Sequence, residues 1–163
     1  MIAKKQPDLA AELAKLEGVC VQSELCSFDV LSRLQRRGIF GEEADKILNS
    51  LITNKFVDDV RFAYAFAYSK AQSAWGPAKI KAALAQKRIN SLTVQKALAQ
   101  VDSALFDDGL LRTVRAKAMS TGREKANTFE GCQKIAKYAI GRGFAAEKVI
   151  ALIKDRKKWQ SDD

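Results

Sequence analysis

The 163-residue chain is 47% hydrophobic and 29% charged, enough apolar material for an ordered core, and carries 28 Lys/Arg against 19 Asp/Glu with no histidine. The missing histidine removes Ser-His and Cys-His catalysis and most transition-metal sites, and three cysteines without a CxxC point to neither a disulfide framework nor a zinc site. In chain order, Pro7-Asp8 opens a helix running to about Val21. Ser27 is expected to cap a second, with Phe28, Leu31 and Leu34 inward, that ends at a left-handed Gly38. A third spans about Glu42 to Thr53, with Ala44, Ile47, Leu48 and Leu51 inward and Glu42-Glu43 at the positive end of its dipole. Asp58 precedes the apolar positions Phe62, Ala63, Phe66 and Ala67 and reads as an N-cap. Trp75-Gly76-Pro77 opens the next helix, which carries Ile80 and Leu84 inward. Further on, Asp108 is expected to repeat the Asp58 cap, and residues 120–128 to form an exposed, mobile connector. The basic tail from Lys154 to Trp159 reads as a frayed end.

The pattern is periodic at a longer scale. Val30-x-x-x-Leu34-x-x-x-Gly38-Ile39 returns as Ile80-x-x-x-Leu84-x-x-x-Arg88-Ile89 and, more loosely, as Ile135-x-x-x-Ala139-x-x-x-Gly143-Phe144. Each copy continues into a second amphipathic stretch, so the fold expected is all-α, a tandem array of three three-helix repeats, elongated and curved. The repeats are placed at residues 1–57, 58–105 and 106–163, the last with the basic tail. Arg88 stands where the other copies have glycine, so the C-cap of that helix must be made by a less favourable residue.

Charge is distributed unevenly. Residues 1–63 carry 9 Lys/Arg and 10 Asp/Glu (net −1), whereas residues 64–163 carry 19 and 9 (net +10). A polyanionic partner is the expectation, either nucleic acid or an acidic protein surface. The candidate surface comprises Lys70, Trp75, Lys79, Lys81, Lys87 and Arg88 in the second repeat and Arg112, Arg115, Lys117, Arg123, Lys134, Lys137 and Arg142 in or near the third. Trp75 beside these lysines fits either a stacking platform for single-stranded nucleic acid or a tryptophan packed on the preceding helix. Apolar runs are too short to cross a bilayer and Met1–Pro7 lacks an apolar signal core, so a cytoplasmic protein is expected.

Phe56-Val57-Asp58-Asp59-x-Arg61-Phe62-Ala63, then Trp75-Gly76-Pro77-x-x-Ile80-x-x-x-Leu84, and the closing Arg142-Gly143-Phe144 together resemble the RecX family of bacterial recombination regulators. The resemblance spans about residues 10–154 and implies the same three-repeat architecture. It also implies a regulatory, non-enzymatic role in recombination, repair and the SOS response: binding the RecA recombinase and its filament on single-stranded DNA and restraining ATP hydrolysis and strand exchange. Weak non-specific DNA contact and a monomeric state accompany that expectation; no catalytic residue, cofactor or metal does. Asp58, Asp59, Arg61, Phe62, Gly76, Pro77 and Ile80 match the family signature and are expected mainly to hold the fold.

Two other classes fit the residues less well. A helix-turn-helix DNA binder without a recombinase partner would place Glu42, Glu43 and Asp45 where phosphate contacts are needed. An enzyme built on Asp58-Asp59 or Asp107-Asp108 would lack histidine and a phosphate-binding loop.

Overall fold

The Asp8 carboxylate accepts hydrogen bonds from the backbone N–H groups of Ala10 and Ala11, and from that cap the chain runs helix after helix in a computed structural model that describes residues 8–160. Pro7, the other half of the expected start, lies outside the described residues, as do the side chains of Arg156 and Lys157. The elements are α1 (Leu9–Gln22), α2 (Ser27–Arg36), α3 (Gly41–Thr53), α4 (Asp59–Gln72), α5 (Pro77–Gln86), α6 (Ser91–Gln100), α7 (Ser103–Thr121), α8 (Arg123–Ala126), α9 (Phe129–Gly141), α10 (Ala146–Lys154) and α11 (Arg156–Gln160), with no strand among the described residues.

The expected recurrence is visible as three helix pairs, α2–α3, α5–α6 and α9–α10, each joined by a four-residue turn (37–40, 87–90, 142–145). Every turn carries one left-handed residue, Gly38 (φ 80°), Arg88 (φ 58°) or Gly143 (φ 93°). In the first and third turns the next residue closes the helix by a six-to-one bond, Ile39 N–H to Leu34 O (3.0 Å) and Phe144 N–H to Ala139 O (3.3 Å). The left-handed geometry costs arginine about 1 kcal/mol that glycine does not incur. The Arg88 guanidinium, 5.4 Å from the Phe28 ring centroid, offsets part of that cost.

The chain divides into two compact units. The first comprises the residues up to Ala63 together with Lys87–Ile89, and the second Tyr64–Gln86 with the residues from Asn90 onward. In the first, Leu16, Leu25, Val30, Leu34, Ile39, Ala44, Ile47, Leu51 and Val57 form one core. Val30 and Leu34 make the buried stripe of α2, while Phe28 and Leu31 are only half-buried. In the second, α7, α9 and α10 enclose a core of Leu110, Val114, Ala118, Ala126, Ile135, Ala139, Phe144, Val149, Ile153 and Trp159.

Four local expectations are corrected. The N-cap of α2 is Cys26, not Ser27, and no side chain of its own caps it. The Ser27 N–H instead donates to the Asp59 carboxylate at 2.7 Å, so a residue 32 positions away supplies the acceptor. Asp108 lies inside α7, whose cap is Asp102, accepting from the Ala104 N–H at 2.9 Å. Residues 120–128 are largely exposed, as expected, but they are not an irregular connector. The last turn of α7, Gly122 and α8 make a packed corner in which Ala126 is buried, and Gly131 of α9 lies so close that a Cβ there would stand 1.9 Å from the Lys125 carbonyl oxygen. Nor is the tail frayed: α11 returns to the core, with Trp159 buried and its indole N–H donating to the Ile153 carbonyl (3.2 Å).

Candidate partner-binding surface

At the junction of α4 and α5, Ala74 takes a left-handed φ of 56° and the Trp75 N–H closes back on the Lys70 carbonyl at 3.0 Å. This tight exit brings two ammonium groups over the half-buried Trp75 ring: Lys79 Nζ lies 4.2 Å and Lys70 Nζ 5.1 Å from its centroid, Lys70 being also 5.4 Å from that of Phe66. Lys70 sits in the last turn of α4, where the helix dipole favours a cation, whereas Lys79 sits in the first turn of α5, where it does not. The indole face offsets that penalty. Trp75 therefore packs against its own lysines, while their ammonium groups remain donors for an anion, and exposed Lys81 follows on the same helix.

The third repeat offers a second group. On α9, Lys134 and Lys137 are exposed, and Lys117 of α7 places Nζ 5.2 Å from the Tyr138 ring centroid. These are again cations beside an aromatic ring.

Other candidates are engaged inside the protein. Lys87 Nζ grips both carboxylate oxygens of Asp29 (2.7 and 2.8 Å) and lies 5.4 Å from the Phe62 centroid. Arg112 bonds Asp108 (2.8 Å) and the Gln72 carbonyl (3.0 Å). Arg142 donates to the carbonyls of Ser73 (2.8 Å) and Ala74 (3.1 Å). Two arginines from the C-terminal part of the chain thus satisfy the open carbonyls at the end of α4. Arg115 turns the other way, toward the Lys158 carbonyl (3.0 Å), and Arg123 bonds the Gln160 carbonyl (3.3 Å). The three-residue spacing of Arg112 and Arg115 on one helix does not send them to one partner.

The signature residues have local tasks. Asp58 caps α4 through the N–H groups of Val60 (2.8 Å) and Arg61 (3.0 Å), and Asp59 caps α2. Arg61 pairs with Glu24, which holds its guanidinium pKa above the usual value, and also donates to the Lys55 and Phe56 carbonyls. Phe62 and Ile80 are buried. Gly76 and Gly143 let two backbones touch: the Gly76 N–H donates to the Arg142 carbonyl (2.8 Å) and the Ala78 N–H to the Gly143 carbonyl (3.1 Å). The Asp58 cap was readable from its local position, whereas the Asp59–Ser27, Arg61–Glu24 and Gly76–Arg142 contacts were not, because those partners are distant in sequence.

Among the described residues no three His, Cys, Asp or Glu side chains group closely enough to hold a metal ion, and no helix is long and apolar enough to cross a membrane. Cys26 is buried against Asp29, and burial pushes its thiol pKa up to about 11.

Helix pairs joined by equivalent left-handed turns, with lysines presented beside aromatic rings, define an all-α helical-repeat protein with basic groups on its surface. Comparison with known proteins makes this specific. Residues 58–98 match the family model described as RecX, second three-helix domain. The regulatory protein RecX of Xanthomonas campestris pv. campestris (strain B100) is 31% identical over 93 residues, which is 57% of each chain. That of Haemophilus influenzae (strain PittGG) is 26% identical over 140 residues, covering 83% of this chain and 89% of the relative. A crystal structure of regulatory protein RecX superposes with a TM-score of 0.73 over 90% of this chain and 73% of that one; at 21% identity it speaks for the fold. In sequence and in fold, then, the chain is similar to RecX regulatory proteins. It spans little more than half the length of the Xanthomonas relative.

Proposed function

We propose that this protein regulates the RecA recombinase by binding the recombinase and its filament on single-stranded DNA, damping ATP hydrolysis and strand exchange. The division expected from the repeats, with boundaries near residues 57 and 105, belongs to the same reading. The observation that carries it, beside the similarity to RecX proteins, is the sorting of the cations. Lys87, Arg112 and Arg142 are spent on internal contacts, whereas Lys70, Lys79, Lys81, Lys117, Lys134 and Lys137 face outward, several against aromatic rings. A filament on DNA presents both phosphates and protein carboxylates, and outward lysines suit both without demanding a base sequence.

The decisive experiment measures single-stranded-DNA-dependent ATP hydrolysis by the recombinase of the same organism with this protein added below stoichiometry. Suppression well below one molecule per recombinase supports a regulator acting on filament ends or gaps. No suppression together with no filament binding overturns the reading and leaves a basic helical-repeat binder whose partner is to be captured directly.

A further inference from the structure

The corner between α7, α8 and α11 encloses a cavity of about 360 Å³, lined by Arg115, Ala118, Met119, Arg123, Ala126 and Trp159. Its size lies at the lower end of pockets that take small organic ligands, about 300–1,000 Å³. Its walls are of two kinds. Ala118, Ala126 and the buried Trp159 give an apolar floor, and Met119, 81% exposed, forms a flexible apolar lip. The polar groups are two guanidinium side chains and Gln160, with no carboxylate among the described lining residues.

Arg37, Arg61 and Arg112 each pair with a carboxylate, whereas the described hydrogen bond of Arg115 goes to one neutral carbonyl, that of Lys158. Its Nε is buried with no acceptor. Among the described lining residues no carboxylate balances that charge, and a carboxylate or sulfonate at the guanidinium adds ion-pair attraction and two-point geometry that a carbonyl cannot supply.

We propose that this cavity binds a small amphipathic anion, a flat apolar body bearing one carboxylate or sulfonate, with the anionic group at Arg115 and the apolar body between Met119 and Trp159. A polyphosphate or nucleic acid strand is a poorer match, because the floor is apolar and the described lining holds no cation besides Arg115 and Arg123. The site is independent of the recombinase reading, and neither stands or falls with the other.

The test uses the full chain and two dyes that share one ring system, anilinonaphthalene sulfonate and the neutral N-phenylnaphthylamine. Site occupancy is read from the methyl resonance of Met119, one of two methionines in the chain. The sulfonate is expected to bind at one site and shift that resonance, and the neutral dye to bind at least about tenfold more weakly. Met119→Glu, which adds a negative charge at an exposed lip without touching the core, is expected to weaken the sulfonate about tenfold, while Met119→Gln has little effect. An unmoved Met119 methyl, equal affinity for the two dyes, or equal behaviour of the two variants would overturn the proposal.

Discussion

Gly76 and Gly143 meet backbone to backbone: a Cβ built on Gly76 would stand 2.2 Å from the Gly143 carbonyl carbon, and one on Gly143 would stand 2.4 Å from the Lys79 nitrogen. No rotamer change relieves such overlaps, since the atoms struck belong to main chain. Gly76→Ala and Gly143→Ala are each expected to destabilise the protein by about 3 kcal/mol or more, the latter with left-handed strain added. Gly38→Ala meets open space and bears only the strain of its φ, about 1 kcal/mol. Urea unfolding of the three variants, followed by circular dichroism, checks the order.

Lys87 is expected to matter for stability and not for partner binding. Its ion pair with Asp29 is three-quarters buried on both sides, so it escapes much of the screening that weakens surface pairs. Lys87→Met should cost about 1–2 kcal/mol, with a coupling to Asp29→Asn near 1 kcal/mol in a double-mutant cycle. A filament-binding titration of Lys87→Met at a temperature where it stays folded should match the unaltered protein.

The opposite behaviour is expected of Lys81, Lys134 and Lys137, which are exposed. Reversing all three to glutamate should weaken filament binding by more than about tenfold and flatten its salt dependence, because each lysine lost removes about one released counterion. Melting temperature and helicity should change little, surface substitutions of this kind lying within about 0.5 kcal/mol each. Unchanged affinity would move the interface to the exposed apolar residues instead.

What the sequence made legible was local. The positions Val30/Leu34, Ile80/Leu84 and Ile135/Ala139 are all fully buried, because a 3.6-residue period fixes which face of a helix turns inward. That Arg88 takes the C-cap position was readable from its register with Gly38 and Gly143, and the structure gives it their left-handed backbone. Contacts over long separations were not legible: Asp59 capping Ser27, Arg142 closing on Ala74, and Trp159 folding back to Ile153. The misplaced cap has a definite cause. Repeat arithmetic carried Asp58 to Asp108, but α7 has 19 residues where α4 has 14 and starts earlier, so the capping aspartate is Asp102. Which basic residues are engaged inside the protein was not legible for the same reason. Charge and spacing mark a cation, whereas a carbonyl at the end of a remote helix decides whether it is free to bind a partner.

Cys26 predicts a pH dependence. Its thiol is raised to about 11 in the folded chain, from 9.0 for the free group, chiefly by burial. The unfolded chain therefore releases this proton first as pH rises. The contribution is fully present below about pH 9 and is lost as pH climbs toward about 11, at up to about 1.4 kcal/mol per unit. Stability measured by urea unfolding should fall more steeply across that window in the parent protein than in Cys26→Ala, whatever the offset between them at neutral pH. Parallel curves would show that the thiol titrates alike in both states.

Trp159 tests whether α11 belongs to the folded core. Its ring is 5% exposed and packs with Val114, Ala118 and Ile153, and its indole N–H is satisfied by the Ile153 carbonyl. Truncating a buried tryptophan removes a large apolar area and leaves a cavity, so Trp159→Ala should cost about 3–5 kcal/mol. The carbonyl it leaves adds a smaller penalty unless water reaches it. Trp159→Phe keeps most of the packing and loses the hydrogen bond, and should cost about 1–2 kcal/mol. The pair separates two accounts of the C-terminal segment. A docked helix gives the graded losses just stated, measured by calorimetry, whereas an end that contributes nothing to the core gives two variants indistinguishable from the parent.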